Sequence, residues 1–125
     1  MNVVDSSGWI EYFNDGPNAS AFASTIRDLE RLVVPTITMY EVYKRRAGID
    51  KQDAADAIGG MMQGRVVELD AVLAIEAATL SAETGLAMAD AIILATARAH
   101  DAELWTQDAH FEGLPGVRYI APAGD

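Results

Sequence analysis

The chain contains no cysteine, few basic residues and no long hydrophobic run, and each absence excludes a class of protein. Without cysteine there is no disulfide, no thiolate zinc site and no cysteine nucleophile. No apolar run approaches the roughly 20 residues that a membrane-spanning helix needs, and the N-terminal residues lack the basic and apolar regions of a signal peptide. We therefore expect a soluble, cytoplasmic protein that does not enter a membrane.

Basic residues are the scarcer charged class. Nine Lys and Arg stand against nineteen Asp and Glu, which gives a formal net charge of −10. Proteins that bind nucleic acid usually carry a basic surface, so this acidity argues against such a ligand unless the basic residues are concentrated locally. Lys44, Arg45, Arg46 and Lys51 do fall within one short stretch. Lys44, Arg45 and Arg46 are candidates for binding substrate phosphate, and the alternative is a solvated helix face.

The rest of the chain has the pattern of an α/β domain. Its 125 residues suffice for one domain with a hydrophobic core, and no linker or repeat divides residues 1–125. Apolar runs predict strands at residues 2–5, 32–34, 65–69, 103–106 and 117–120, and helical periodicity predicts helices between them. Strands that alternate with helices form right-handed crossovers, so we expect a parallel sheet with helices on both faces.

Side chains that can accept backbone hydrogen bonds predict where several helices begin. Ser6 and Ser7 are good N-cap residues after the first strand, and Asp50 and Asp70 precede two later helical stretches. The Gly59–Gly60 pair weakens the helix that follows Asp50, because glycine has low helix propensity.

Four carboxylates lie where a predicted strand ends or a helix begins: Asp5, Glu41, Asp90 and Asp108. Each has a structural explanation by itself. Asp5 or Asp108 can cap a helix, and Asp90 can complement a helix dipole. Glu41 can pair with Lys44 or Arg45 along a helix. Taken together they suggest more, because the carboxyl ends of parallel strands share one edge of a sheet.

Carboxylates gathered at one edge predict a divalent cation. Like charges about 4 Å apart repel by about 4 kcal/mol per pair at an effective dielectric constant of about 20, so a cation should lie among them. Oxygen ligands without Cys or a His cluster favour Mg²⁺ or Mn²⁺, and such an ion can promote phosphodiester hydrolysis. Thr106 and Ser6 are candidates to add hydroxyls to the site, and the alternative is that both satisfy loop backbone groups. His110 is either a contact to substrate phosphate or an ordinary surface histidine.

With these positions in place, nearly the whole chain resembles the PIN-domain nucleases, and within them the VapC-type toxins of bacterial toxin–antitoxin pairs. The resemblance rests on the order and spacing of residues 3–10, 40–45, 88–97 and 104–111. It implies a three-layer α/β/α fold with a parallel sheet of about five strands. It also implies that Asp5, Glu41, Asp90 and Asp108 are catalytic and bind Mg²⁺ or Mn²⁺, with Thr106 as the hydroxyl before the last Asp.

The resemblance further implies an RNA substrate and a protein partner. VapC-type toxins are endoribonucleases that cut tRNA or ribosomal RNA, commonly form homodimers and are inhibited by a cognate VapB-type antitoxin. A basic antitoxin segment would be attracted to a surface with a net charge of −10. Some members carry a further acidic residue near the last Asp, where this chain has Ala109 and His110. Two alternatives stay open: a catalytically silent PIN-like binding module, and an RNA-processing nuclease that is not a toxin.

Overall fold

The computed structural model describes residues 1–123, and these residues form a parallel sheet and the helices that cover it. The strands are β1 (Asn2–Val4), β2 (Leu32–Pro35), β3 (Arg65–Val67), β4 (Glu103–Thr106) and β5 (Val117–Tyr119). The helices are α1 (Ser6–Phe13), α2 (Ala19–Arg27), α3 (Thr36–Ala47), α4 (Lys51–Met61), α5 (Ala71–Thr84) and α6 (Met88–Ala99). Short 3₁₀ turns occupy Leu29–Arg31 and Ala109–Phe111.

The five strands are all parallel and lie in the order β3-β2-β1-β4-β5. Val3 in the centre of β1 aligns with Val33 on one side and with Leu104 on the other. The chain therefore builds the sheet outward from β1 in one direction and then returns to build it in the other. In such sheets a crevice opens between the strands where the direction reverses, here β1 and β4, at their carboxyl ends.

Alternate side chains of the strands face opposite sides of the sheet. Val3 and Val33 pack on the side that is covered by α5 and α6, whereas Val4 and Val34 pack on the side that is covered by α1, α2 and α4. All four are fully buried. The core consequently has two apolar layers separated by the sheet, which confirms the predicted three-layer α/β/α fold.

Helix starts agree with the sequence where the capping interaction is local. The Asp50 carboxylate accepts hydrogen bonds from the backbone N–H groups of Gln52 and Asp53 at 2.9 and 3.1 Å, and the Asp70 carboxylate accepts one from Leu73 at 2.9 Å. The helix after Asp50 continues through residues 59–60 despite its two glycines. By contrast, Ser6 and Ser7 are the first residues inside α1 and do not cap it, because the N-cap position is that of Asp5.

Within residues 1–123, no single helix is both long enough and apolar enough to cross a membrane. α5 and α6 meet the requirements of length and composition only as a pair, across a bend of 114°.

Candidate metal centre

Asp5 follows β1 and lies at the N-cap position of α1, but its side chain makes no capping hydrogen bond. It is only 3% exposed. Its Oδ2 accepts hydrogen bonds from the Ser7 hydroxyl and from the Thr106 hydroxyl, both at 2.7 Å. The capping explanation therefore describes Asp50 and Asp70 but does not describe Asp5, whose carboxylate is held between the ends of two adjacent strands.

Thr106 connects the two sides of the crevice. Its fully buried hydroxyl donates to Asp5 and accepts a hydrogen bond from the backbone N–H of Asp108 at 2.9 Å. Ser7 strengthens the same connection, because its hydroxyl also accepts from the backbone N–H of Gln107 at 3.3 Å. Thr106 was predicted as a site residue, whereas Ser7 was not. The sequence feature that could have indicated Ser7 is its place two residues after Asp5, from which a hydroxyl can bond back to the carboxylate.

Glu41 lies in the second turn of α3 and faces α1. Its Oε1 accepts a hydrogen bond from the Ser6 hydroxyl at 2.5 Å. Within the described residues it makes no ion pair with Lys44 or Arg45. Ser6 thus contacts Glu41, as a hydroxyl in the site would, and the helical ion pair that could have explained Glu41 does not form.

Asp90 and Asp108 meet at the opposite wall of the crevice, with His110 beside them. Asp90 lies in the first turn of α6, and its side chain is 16% exposed. Asp108 Oδ1 accepts the backbone N–H of His110 at 2.9 Å, so this carboxylate does cap the short 3₁₀ turn. His110 Nδ1 lies 3.5 Å from Asp90 Oδ2 and 3.3 Å from Asp108 Oδ1. One ligand atom from each of the three residues lies within 4.8 Å of the others, a spacing at which one ion could be held.

The acidic side chains line one cleft of about 530 Å³, called here the acidic cleft. Its lining residues are Asp5, Ser6, Ser7, Ile10, Tyr40, Glu41, Lys44, Arg45, Asp90 and Asp108. The structure therefore brings together all four carboxylates that the sequence singled out, although they are spread over more than a hundred residues of chain. Tyr40 was not predicted to lie there, and its signal was its position between the strand end and Glu41.

Burial and the charge of neighbouring carboxylates raise the pKa values of two side chains in the acidic cleft, Asp5 and Asp90. Burial raises the pKa of Asp90 from 3.8 to about 6; the charges of Asp5 and Asp108 add to this, and His110 opposes it. Burial also raises the pKa of Asp5, against the lowering effect of the hydroxyls of Ser7 and Thr106. A divalent cation would relieve both the desolvation and the repulsion. The donor set of carboxylate oxygens, with one imidazole nitrogen close by, fits Mg²⁺ or Mn²⁺.

Of the three basic residues predicted to bind substrate phosphate, Lys44, Arg45 and Arg46, the structure places two in the cleft and one outside it. Lys44 and Arg45 line the acidic cleft. Arg46 does not line it, because its guanidinium bonds to Asp53 at 2.5 Å and to Asn14 Oδ1 at 2.9 Å. The Arg46 guanidinium also lies 5.3 Å from the centre of the Phe13 ring. Arg46 therefore joins α3 to α1 and α4 and is placed away from the site where a phosphate would bind.

The fold and the acidic cleft together define an open-sheet α/β/α domain with a carboxylate centre at its topological switch point. Comparison with protein families is more specific: residues 3–117 match the PIN domain. Since the match extends over most of the sequence, the chain belongs to the PIN domain family. No curated protein matches the chain.

Solved structures with similar folds include several bacterial toxin–antitoxin proteins. A chain of a toxin–antitoxin complex from Klebsiella pneumoniae aligns with a TM-score of 0.84 and 23% identity, covering 98% of this chain and 100% of that one. A chain of VapBC2 from Rickettsia felis, bound to a DNA fragment from its promoter, aligns at 0.74 with 13% identity, covering 96% and 97%. Mycobacterium tuberculosis VapC20, a sarcin–ricin loop cleaving toxin, aligns at 0.69 with 16% identity, covering 90% and 92%. At these identities the similarity shows a shared fold.

Proposed function

We propose that the protein is a metal-dependent endoribonuclease that hydrolyses RNA phosphodiester bonds and acts as the toxin of a toxin–antitoxin pair. The observation that carries this proposal is the convergence of Asp5, Glu41, Asp90 and Asp108 on one cleft in a chain of the PIN domain family. A cleft with four carboxylates would repel an RNA backbone by itself. A bound divalent cation would turn this repulsion into attraction. Hydrolysis of a phosphodiester bond by the ion would account for why four carboxylates are gathered in one cleft.

The side chains of the acidic cleft divide the work. Asp5, Asp90 and Asp108, together with Glu41, would hold Mg²⁺ or, as a substitute, Mn²⁺. The bound ion would activate a water molecule for attack on phosphorus and neutralise the charge on the leaving oxygen.

Hydroxyl groups hold the carboxylates of the acidic cleft in position. Thr106 and Ser7 fix the rotamer of Asp5, and Ser6 fixes that of Glu41. Such supporting hydrogen bonds orient ligands before the ion arrives. Lys44 and Arg45 would bind substrate phosphates on the α3 side of the cleft.

The partners follow from the relatives and from charge. Structural neighbours include a toxin–antitoxin complex, a VapBC2 complex bound to a DNA fragment from its promoter, and a toxin that cleaves the sarcin–ricin loop. By analogy, the substrate here is tRNA or ribosomal RNA, and a VapB-type antitoxin inhibits the enzyme. The net charge of −10 would speed association with a basic antitoxin segment. We expect a homodimer that acts in the cytoplasm, where tRNA and ribosomes are found.

The proposal is tested by incubating antitoxin-free protein with total cellular RNA and Mg²⁺ or Mn²⁺, and mapping cut ends by sequencing. Asp5→Asn removes a charged ligand and should abolish cleavage. Asp56→Asn is the matched control, because Asp56 is exposed on α4 and, among residues 1–123, its side chain bonds only to Gln52, through an oxygen that Asn retains. Discrete cuts that EDTA and Asp5→Asn eliminate, and that Asp56→Asn leaves unchanged, are expected.

Other outcomes select the alternatives. A protein that binds Mn²⁺ but cuts no RNA would be a catalytically silent binding module. Cuts that persist in Asp5→Asn would show that the carboxylate centre is not catalytic. If cleavage occurs but induced expression in bacteria leaves translation unaffected, the protein would be an RNA-processing nuclease and not a toxin.

A further inference from the structure

Tyr40 places an exposed aromatic ring on the wall of the acidic cleft. The residue is 59% exposed and directly precedes Glu41 in α3. A single exposed tyrosine needs no explanation on a protein surface. This one is unusual in its surroundings, because it lies beside the carboxylates and beside Lys44 and Arg45, the basic residues that line the cleft within the described part of the chain.

Two neighbouring rows of side chains run along this face of α3. Tyr40 and Lys44 form one row, and Glu41 and Arg45 form the other, because residues four apart lie on the same face of a helix. The Lys44 ammonium nitrogen lies 5.7 Å from the centre of the Tyr40 ring. α3 therefore offers a flat ring, two cations and one carboxylate to whatever enters the acidic cleft.

The two cations are not used elsewhere. Within residues 1–123, neither Lys44 nor Arg45 lies within ion-pair distance of a carboxylate, whereas Arg31, Arg46 and Arg118 each pair with one. Uncompensated cations at the edge of an acidic cleft would repel a basic inhibitor segment. They would attract a polyanion whose scissile phosphate has to approach four carboxylates.

We propose that Tyr40, Lys44 and Arg45 form a nucleotide subsite, in which the Tyr40 ring stacks on an unpaired base next to the scissile phosphate and the two cations bind flanking phosphates. The inference rests on the proposed ribonuclease function and adds a requirement to it. A base can stack on a protein ring only when it is out of the duplex, and every base has a face that can stack. The subsite therefore selects single-stranded or looped RNA with little preference for sequence.

The test is a binding measurement that needs no cleavage. Fluorescein-labelled single-stranded RNA of randomised sequence is titrated with antitoxin-free protein in Ca²⁺, a hard cation that carboxylate oxygens also bind, and the anisotropy is followed. Tyr40→Ala should weaken binding about tenfold, and Tyr40→Trp should restore it. Tyr43→Ala is the matched control: Tyr43 lies on the same helix, is 44% exposed and does not line the acidic cleft, so its loss should change nothing.

Two further measurements separate stacking from charge. On an abasic strand of equal length, Tyr40→Ala should bind as tightly as the unmodified protein, because there is no base to stack. Lys44→Ala and Arg45→Ala should each lower the slope of log affinity against log salt by about 0.7, and Tyr40→Ala should leave that slope unchanged.

The inference is overturned if Tyr40→Ala and Tyr43→Ala bind randomised RNA equally well, or if the abasic strand responds to Tyr40→Ala as the normal strand does. A loss confined to antitoxin binding would make the ring part of a protein interface instead. These results are independent of the cleavage assay. A nuclease with no Tyr40 effect, or a stacking subsite on a protein that cuts nothing, would each be recognisable.

Discussion

Thr106 lies at the end of β4, and its hydroxyl bonds to a group on each side of the crevice. It donates to Asp5 and accepts from the backbone of Asp108, so it sets the relative position of two carboxylates that come from adjacent strands. Because the residue is fully buried, water cannot replace the hydroxyl when it is removed.

Thr106→Val is expected to reduce metal affinity and RNA cleavage about 10- to 100-fold, because the shape of the side chain is kept while Asp5 loses an orienting donor. Mn²⁺ affinity by calorimetry and the cleavage rate are the measurements. Thr96→Val is the matched control: Thr96 is 2% exposed and bonds to Ile92 within its own helix, outside the acidic cleft. Equal loss in both variants would mean that the effect is general destabilisation.

The stability of the metal-free protein is expected to depend on pH through Asp90. Its pKa is about 6 in the folded protein, raised first by burial and then by Asp5 and Asp108, against an ordinary value of 3.8. The folded state therefore holds this proton more tightly than the unfolded state. The stability linked to Asp90 is fully present below about pH 4 and is lost as the pH rises through about 6.

Asp90→Asn removes the group responsible. In EDTA at pH 7 we expect the free energy of unfolding to rise by about 1 kcal/mol, since water in the open cleft screens part of the penalty. At pH 4 the gain should disappear. Urea unfolding at the two pH values, with Asp56→Asn as the control, measures the difference. A variant that is destabilised at pH 7 would show that Asp90 mainly stabilises the start of α6.

The sequence predicted the position of a side chain where that position depends on nearby residues in the chain. The meeting of the carboxylates was predictable because Asp5, Asp90 and Asp108 lie at strand or helix ends, Glu41 lies one turn further into its helix, and parallel strands bring such ends together. Ser7 was assigned to helix capping alone, but its hydroxyl bonds to Asp5. Ser6 was assigned both to capping and to the site, and its hydroxyl bonds to Glu41. The Glu41 contact is 35 residues away in sequence and cannot be read from local spacing.

At the scale of elements, the place of α1 over β1 depends on one close approach. A Cβ built on Gly8 would lie 2.7 Å from the Phe22 ring and 2.7 Å from Val4 Cγ1. Any larger residue must therefore push α1 away from α2 and the sheet. Because α1 begins at Ser6, that displacement would reach the hydroxyls that hold Glu41 and Asp5.

Gly8→Ala is expected to lower the free energy of unfolding by about 1 to 3 kcal/mol, as overpacking of a core does, and to weaken Mn²⁺ binding. Gly59→Ala is the matched control within a helix. Within residues 1–123, and apart from the adjoining residues and backbone of α4, no atom lies within 4 Å of a Cβ at Gly59, so the change should stabilise α4 by up to about 1 kcal/mol through helix propensity. Chemical denaturation compares the two. A Gly8→Ala variant as stable as the original protein would refute the close packing.

Elements with local signals were predicted well, and their boundaries depended on tertiary contacts. α5 begins at its Asp70 cap and ends before Gly85, whose φ of +77° suits glycine. β3 is shorter than predicted, ending at Val67. Lys44, Arg45 and Arg46 were predicted to bind phosphate together, but packing of α3 against α4 places Arg46 against Asp53, away from the acidic cleft. Periodicity alone cannot show which of three adjacent cations is diverted in this way.

The molecule as a whole is acidic, but one wall of the acidic cleft carries positive charge. The chain has a net charge of −10, yet the α3 wall of the acidic cleft carries two cations, Lys44 and Arg45, that pair with no carboxylate within residues 1–123. This separation would reconcile an acidic protein with the RNA substrate proposed above. Phosphates would be bound at the cleft, and the remaining surface would favour a basic protein partner.

Calorimetric titration with Mn²⁺ would show whether the four carboxylates form one metal centre. The unmodified protein and Asp56→Asn should bind Mn²⁺ with equal affinity, whereas Asp5→Asn and Asp90→Asn should weaken it at least about tenfold. Saturation at about 100 times the dissociation constant should also stabilise the protein by about 2.7 kcal/mol. Equal Mn²⁺ affinity in all four proteins, or no heat of binding in any of them, would show that the four carboxylates do not form one metal centre.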